Sequence, residues 1–210
     1  MRESSYEREP GYALRYRDRR WVTGSGAGTD ARERRVLRAL LERAARGGGA
    51  WLDAPSGAGR LSGELPGRVV QVDRDPAMVL AAGDAAARAC ASVHALPFMD
   101  GAFGGVLCMR LLQHIETSAE RVQILGELRR VSRGPVVVSF FDAMSLQHLR
   151  RKLRSIRGKR ASGRVAIQRA DFAREADAAG LQVLTMSALR RFFGEQTLAL
   201  CLPRGDGGRA

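Results

Sequence analysis

The chain has 210 residues, enough for one large domain with a buried core, and its 45% hydrophobic and 27% charged residues exclude the disordered, collagen-like and disulfide-scaffold classes. Its net charge of +13 is concentrated in residues 1–46, which carry +5, and residues 143–170, which hold nine basic and no acidic side chains. Such a patch points to an anionic partner, although 33 of the 35 basic residues are arginine, a bias that composition alone explains. Cys108 and Cys201 sit in apolar runs and Cys90 closes an Ala-rich one, so three buried free thiols and a reducing compartment are expected. No run reaches membrane-span length, and MRESSYEREP lacks a signal-peptide apolar core, so a cytoplasmic location is expected.

Residues 1–29 mix aromatic, Arg and Gly residues without periodicity and read as an arm ending in GSGAGT. Thr29 or Asp30 is expected to cap a helix that carries Val36, Leu37, Leu40 and Leu41 at helical spacing. Short apolar runs at 50–54, 68–73, 91–95, 105–109 and 135–141 then alternate with helix-like stretches at 57–65, 76–89 and 117–132. That alternation predicts an α/β domain with a doubly wound, mostly parallel sheet covered on both faces. After a basic insert at 143–165 come a helix over 170–180 and two strands, 181–189 and 196–203, expected as an antiparallel hairpin. The domain is therefore placed at 30–203, with a disordered tail at 204–210.

The segment WLDAPSGAGRLSGEL sets a strand, a Gly-containing turn and a helix start in that order. Gly57 and Gly59 let a ligand approach the backbone. Asp73, at the end of the second strand, stands where an acid takes both hydroxyls of a ribose in nucleotide-binding sheets. A dinucleotide fingerprint fails because Ser62 occupies the third glycine position, and no G-K-[ST] follows for a phosphate loop. His94, His114 and His148 are far apart and no C-x-x-C occurs, so no metal is expected.

LDAPSGAGR, VQVDRDPAM and HALPFMDGAFGGVLCMRLLQHI, in that order and spacing, resemble the successive motifs of class I S-adenosylmethionine-dependent methyltransferases over residues 50–142. The resemblance implies a seven-stranded Rossmann-like sheet, order 3-2-1-4-5-7-6 with the last strand reversed, and S-adenosylmethionine as cofactor. It further implies that Asp53, Gly57 and Gly59 line the methionine end and that Asp73 holds the ribose hydroxyls. Arg74 and Met78 would flank the adenine, Ser92, His94 and Ala95 its edge, and Met109 and Arg110 would close over the methionine moiety. Three positions depart from the family pattern: Pro55 for the first loop glycine, Ser92 for an acid and Gly104 for an aspartate.

Methyl transfer from a sulfonium is an in-line displacement, so positioning dominates and a base is needed only for a protonated acceptor. His114, just past the fourth strand, is the candidate base; alternatively it caps the helix starting near Thr117. Asp142, ending the fifth strand, either faces the acceptor or caps the next helix. No Asn-Pro-Pro-Tyr-like tetrapeptide follows the fourth strand, which argues against methylation of base amino groups. Leu146, Leu149, Leu153 and Ile156 form an apolar stripe among arginines, so Leu146–Arg157 reads as a basic amphipathic helix. It suits peripheral membrane contact, an acidic substrate or a phosphate backbone, or else packs as a lid with solvated arginines. Tyr12, Tyr16, Arg19, Arg20 and Trp21 either fold over the cofactor or dock the arm on the core.

The expected function is methyl transfer to an oxygen or nitrogen of a small or lipid-linked, anionic acceptor. An RNA acceptor, or a non-catalytic module of the same fold that binds an anionic surface, are the alternatives; nucleic acid is allowed but disfavoured by the lack of interleaved aromatics.

Overall fold

Alternating apolar runs place seven strands in one sheet: β1 (Trp51–Asp53), β2 (Val69–Asp73), β3 (Ala87–Cys90), β4 (Gly105–Cys108), β5 (Val136–Phe141), β6 (Leu181–Ala188) and β7 (Gln196–Pro203). Their order is β3-β2-β1-β4-β5-β7-β6. The pairs through β5 are parallel, and β7 runs antiparallel to both β5 and β6. The computed structural model describes residues 11–22, 24–44, 48–83, 87–146, 163–190 and 194–204. Most of the basic insert, including Leu149–Arg157, and the tail beyond Arg204 lie outside the described residues.

Five helices stand among the described residues: α1 (Tyr12–Arg19), α2 (Gly24–Arg43), α3 (Pro76–Ala81), α4 (Ser118–Val131) and α5 (Arg169–Ala178). Alternation along the inner strands assigns one side chain to each face. Val106 and Cys108 of β4, with Val136, Val138 and Phe140 of β5, join Ile124, Leu125 and Leu128 of α4 and Phe172 of α5. Leu107 and Val137 point the other way, to Leu37 and Leu40 of α2. Phe140 and Phe172 stack with centroids 4.4 Å apart. Trp51 demands a glycine on its parallel neighbour, because a Cβ on Gly105 would lie 2.6 Å from the indole ring.

Several expectations are corrected. Helix α2 begins at Gly24, ahead of the expected Thr29 or Asp30 cap; Thr29 Oγ1 instead donates back to the carbonyl of Ser25 at 2.9 Å. The glycines there permit close packing rather than mark a loop, since a Cβ on Gly26 would collide with the Arg20 carbonyl. The arm is helical in α1, whose Arg17 donates to the carbonyl of Ala81 in α3 at 2.9 Å. The stretch 57–65 makes turns and a short 3₁₀ turn (Ser62–Glu64), because Gly57 and Gly59 take left-handed φ values of 54° and 73°. Helix α3 stops at Ala81, and the third strand lies at Ala87–Cys90 rather than 91–95. Cys90 on that edge strand is exposed, while Cys108 and Cys201 are buried as expected. Among the described residues no helix is long and apolar enough to cross a membrane.

Candidate functional site

The C-terminal ends of β1, β2 and β4 open into a cleft of about 1180 Å³, with α1 across one side. The loop after β1 folds over β2, where the Ser56 amide donates to the carbonyl of Val72 at 2.8 Å. Asp73 Oδ2 accepts from the Gly57 amide at 2.8 Å, and Oδ1 accepts from the Asp75 amide at 2.9 Å. Each carboxylate oxygen therefore keeps acceptor capacity for a ligand. Burial raises the pKa of Asp73 above the usual carboxylate value, opposed by those two amide donors.

Asp53 is only 2% exposed. Its Oδ2 accepts from Ser62 Oγ at 2.6 Å, and Ser62 Oγ accepts from Gln71 Nε2 at 2.8 Å. Desolvation pushes the Asp53 pKa up to about 7, with the Ser62 hydrogen bond and the nearby Arg60 charge opposing it.

Asp53, Gly57, Asp73, Arg74, Met78, Ser92, His94, Met109, Arg110 and His114 come together in the cleft lining. Gly59 and Ala95 do not line it. Gly59 packs toward the sheet, where a Cβ would meet Gln71 Nε2 at 2.5 Å, and Ala95 closes a bridge with Ser92. Asp142 lies outside the lining and its carboxylate is engaged elsewhere: Oδ1 accepts from the Met144 amide at 2.9 Å and Oδ2 from Arg169 Nε at 2.7 Å. It caps the turn after β5 rather than facing the acceptor.

His114 sits in a 3₁₀ turn (Leu112–His114) and is exposed at the cleft. The cap of α4 is Thr117, whose Oγ1 accepts from the Glu120 amide at 3.2 Å, so His114 has no capping duty. Desolvation, and then the charges of Arg164, Arg110 and Arg74, lower its pKa below the ordinary histidine value, which keeps the imidazole neutral at pH 7. Its neighbour Gln113 is buried, and its Nε2 donates to the carbonyl of Arg110 at 2.9 Å. That fixes Oε1 as an acceptor, and it has no partner among the described residues.

Four site residues escaped the sequence reading: Glu33, Arg60, Gln113 and Glu120. Glu33 is wholly buried and binds Arg60 at 2.5 Å and Arg110 at 2.7 Å. The guanidinium groups of those two arginines lie 4.1 and 4.6 Å from the ring centre of Trp21. The available signal was a charge at position 33 in register with Leu37 and Leu40 on the apolar stripe of α2. Glu120, which also lines the cleft, meets His94 Nε2 at 2.9 Å, and His94 Nδ1 lies 3.1 Å from Ser92 Oγ. In the arm, Trp21 is buried as a docking residue while Tyr12, Tyr16, Arg19 and Arg20 line the cleft.

The cleft fits S-adenosylmethionine on two observations. A Cβ on Gly57 would project into open space with nothing within 4 Å, leaving room for a ligand against the backbone. The Asp73 carboxylate opens onto the same space with lone pairs to spare for two hydroxyls.

A family model described as a methyltransferase domain matches residues 52–138. No curated protein matches the chain. Magnesium protoporphyrin IX methyltransferase of Synechocystis PCC 6803, solved with bound SAH, is similar with TM-score 0.72 and 16% identity over 92% of this chain and 98% of that one. The PH0226 protein of Pyrococcus horikoshii OT3 gives 0.67 and 19% identity over 90% and 95%. An S-adenosylmethionine-dependent methyltransferase of Clostridium acetobutylicum ATCC 824 gives 0.65 and 13% identity over 91% and 97%. At such identities the structural likeness speaks for the fold, and the domain match spans β1 to β5. The chain thus combines a methyltransferase-domain match over residues 52–138 with the strand order β3-β2-β1-β4-β5-β7-β6 and a cleft open at Gly57 and Asp73 whose residues fit S-adenosylmethionine.

Proposed function

We propose that this chain is an S-adenosylmethionine-dependent methyltransferase that acts on an oxygen or nitrogen of a small or lipid-linked anionic acceptor, with His114 as the general base. The observation that carries the reading is His114 itself: a neutral imidazole, free of capping duty, at the cleft among Arg74, Arg110 and Arg164. A base there takes the proton of the attacking hydroxyl or amine, and the arginines favour an acceptor that carries negative charge. The nine basic and no acidic residues of 143–170 support the same acceptor class.

When bound, S-adenosylmethionine supplies an electrophilic methyl group on a sulfonium. In this reading Asp73 accepts hydrogen bonds from the ribose hydroxyls, and Met78, Arg74, Ser92 and His94 border the adenine. Asp53 and the Gly57 backbone face the methionine end, with Met109 and Arg110 closing the far wall. Gln113 Oε1, an orphaned acceptor beside His114, orients a second N–H or O–H of the acceptor. Tyr12 and Tyr16 of α1 narrow the opening and exclude water from the displacement.

Calorimetric titration with S-adenosylhomocysteine tests the cofactor part: micromolar binding is expected, lost in Asp73→Ala. Binding that survives the substitution overturns the assignment of Asp73. An RNA acceptor would instead show an affinity falling steeply with salt, in proportion to the phosphates contacted.

A further inference from the structure

A second cavity, of about 480 Å³, adjoins the cofactor cleft, and Arg110 and Arg164 line both. It lies between the start of α2, the end of β5 and the beginning of β7. The groups around it are mostly donors. Helix α2 has 20 residues and no acid in its first turn, and Gly24, Ser25 and Gly28 bring that turn to the cavity wall. The unpaired N–H groups and positive dipole end of such a helix favour an anion. Arg32, Arg164 and Arg190 add guanidinium groups, against Glu195 as the one carboxylate among the described lining residues.

An independent observation points the same way. Gln196, also in the lining, is only 7% exposed, and its Nε2 has no hydrogen-bond partner among the described residues. A buried amide donor left unpaired is costly, and an oxyanion in the adjoining space satisfies it.

We propose that this second cavity is an oxyanion subsite, which holds a phosphate or carboxylate group of the methyl acceptor while the atom to be methylated lies beside His114. The inference rests on the reading of an anionic acceptor and adds where its charge is bound: the first turn of α2 and Gln196 donate to the oxyanion, and Arg190 and Arg32 balance its charge. The arginines shared by the two cavities line the passage between charged end and reactive end.

The test is calorimetric titration of the full chain, saturated with S-adenosylhomocysteine, with inorganic phosphate and separately with acetate. Wild type is compared with Ser25→Glu and Gln196→Leu. Ser25→Glu places a carboxylate at the helix start, which favours the helix and so preserves folding while occupying the subsite. The expected result is anion binding in the wild type, weakened about tenfold or more in both variants, as for loss of a charge-assisted contact, with unchanged affinity for S-adenosylhomocysteine. Anion binding that Ser25→Glu leaves intact overturns the subsite while the anionic acceptor stands, held by the cleft arginines. No binding of either anion to a wild type that binds S-adenosylhomocysteine overturns both. Sedimentation with phosphatidylcholine vesicles, with and without phosphatidic acid, separates the sources. Capture by phosphatidic acid that Ser25→Glu abolishes supports a lipid phosphate, and phosphate binding without capture supports a soluble acceptor.

Discussion

Arg110 Nε donates to Oε1 of Glu33 at 2.8 Å, and its Nη2 lies 2.7 Å from the same oxygen, across 77 residues of sequence. The other oxygen of Glu33 takes Arg60 at 2.5 Å, so one wholly buried carboxylate holds two arginines against Trp21. Arg110 also adopts a left-handed φ of 59°, with its amide donating to Ser139 Oγ at 2.7 Å. A non-glycine residue in that region is strained and needs its surroundings to hold it. Glu33→Gln removes the charge and leaves two neighbouring cations, and should destabilise the protein by about 3–5 kcal/mol in denaturant unfolding. A loss below about 1 kcal/mol would show that the cluster does not anchor this wall.

Asp53 gives the protein a pH signature. Its folded pKa, near 7, lies above its unfolded value, so the native state binds the proton more tightly. Its contribution to stability is full below about pH 4 and is lost as pH rises through about 7, amounting to on the order of 4 kcal/mol at most. Asp53→Asn, which retains an acceptor for Ser62, should therefore become progressively more stable relative to wild type from pH 4 to pH 8. Parallel stability curves for the two proteins would refute the raised pKa. Binding of cationic S-adenosylmethionine should also release a proton at pH 6 but not at pH 8.5, measurable as a buffer-dependent enthalpy.

Replacing His114 with Ala should cost roughly a hundredfold in turnover with little change in affinity for S-adenosylhomocysteine. Because its pKa is lowered, the rate should rise with pH along an apparent pKa below about 6.5. Substituting Arg164 with Met removes one of the charges that lower it, and the rate profile should move toward higher pH. A loss in His114→Ala of less than about threefold would reject the general base.

The turn that carries His114 is braced from below by a buried ion pair. Arg121 of α4 meets Glu175 of α5 through Nε at 2.9 Å and Nη2 at 2.5 Å, and its Nη1 donates to the carbonyls of Ile115 and Glu116. Arg121→Met alone should cost about 3–5 kcal/mol, because it strands the Glu175 carboxylate in the core. The double variant with Glu175→Leu should recover most of that loss in thermal unfolding, since an apolar pair needs no desolvation. Equal destabilisation in single and double variants would assign the cost to the contacts with residues 115 and 116.

By itself, the sequence determined the strands, because β1, β2, β4, β5 and β7 are apolar runs whose burial is a local property of composition and period. It also determined the loop and acid that open the cleft, since Gly57 and Asp73 act through backbone conformation and strand position. Only the tertiary structure decided the start of α2, where glycines that read as a loop serve close packing against Arg20. It also decided that Asp142 is spent on Met144 and Arg169, while His114 is left to the cleft by the Thr117 cap. Glu33 with Arg110, Glu120 with His94 and Gln196 beside the start of α2 are contacts between distant segments. A one-dimensional pattern records which residues are apolar, but which polar groups are buried together depends on how the strands are ordered and the helices laid across them.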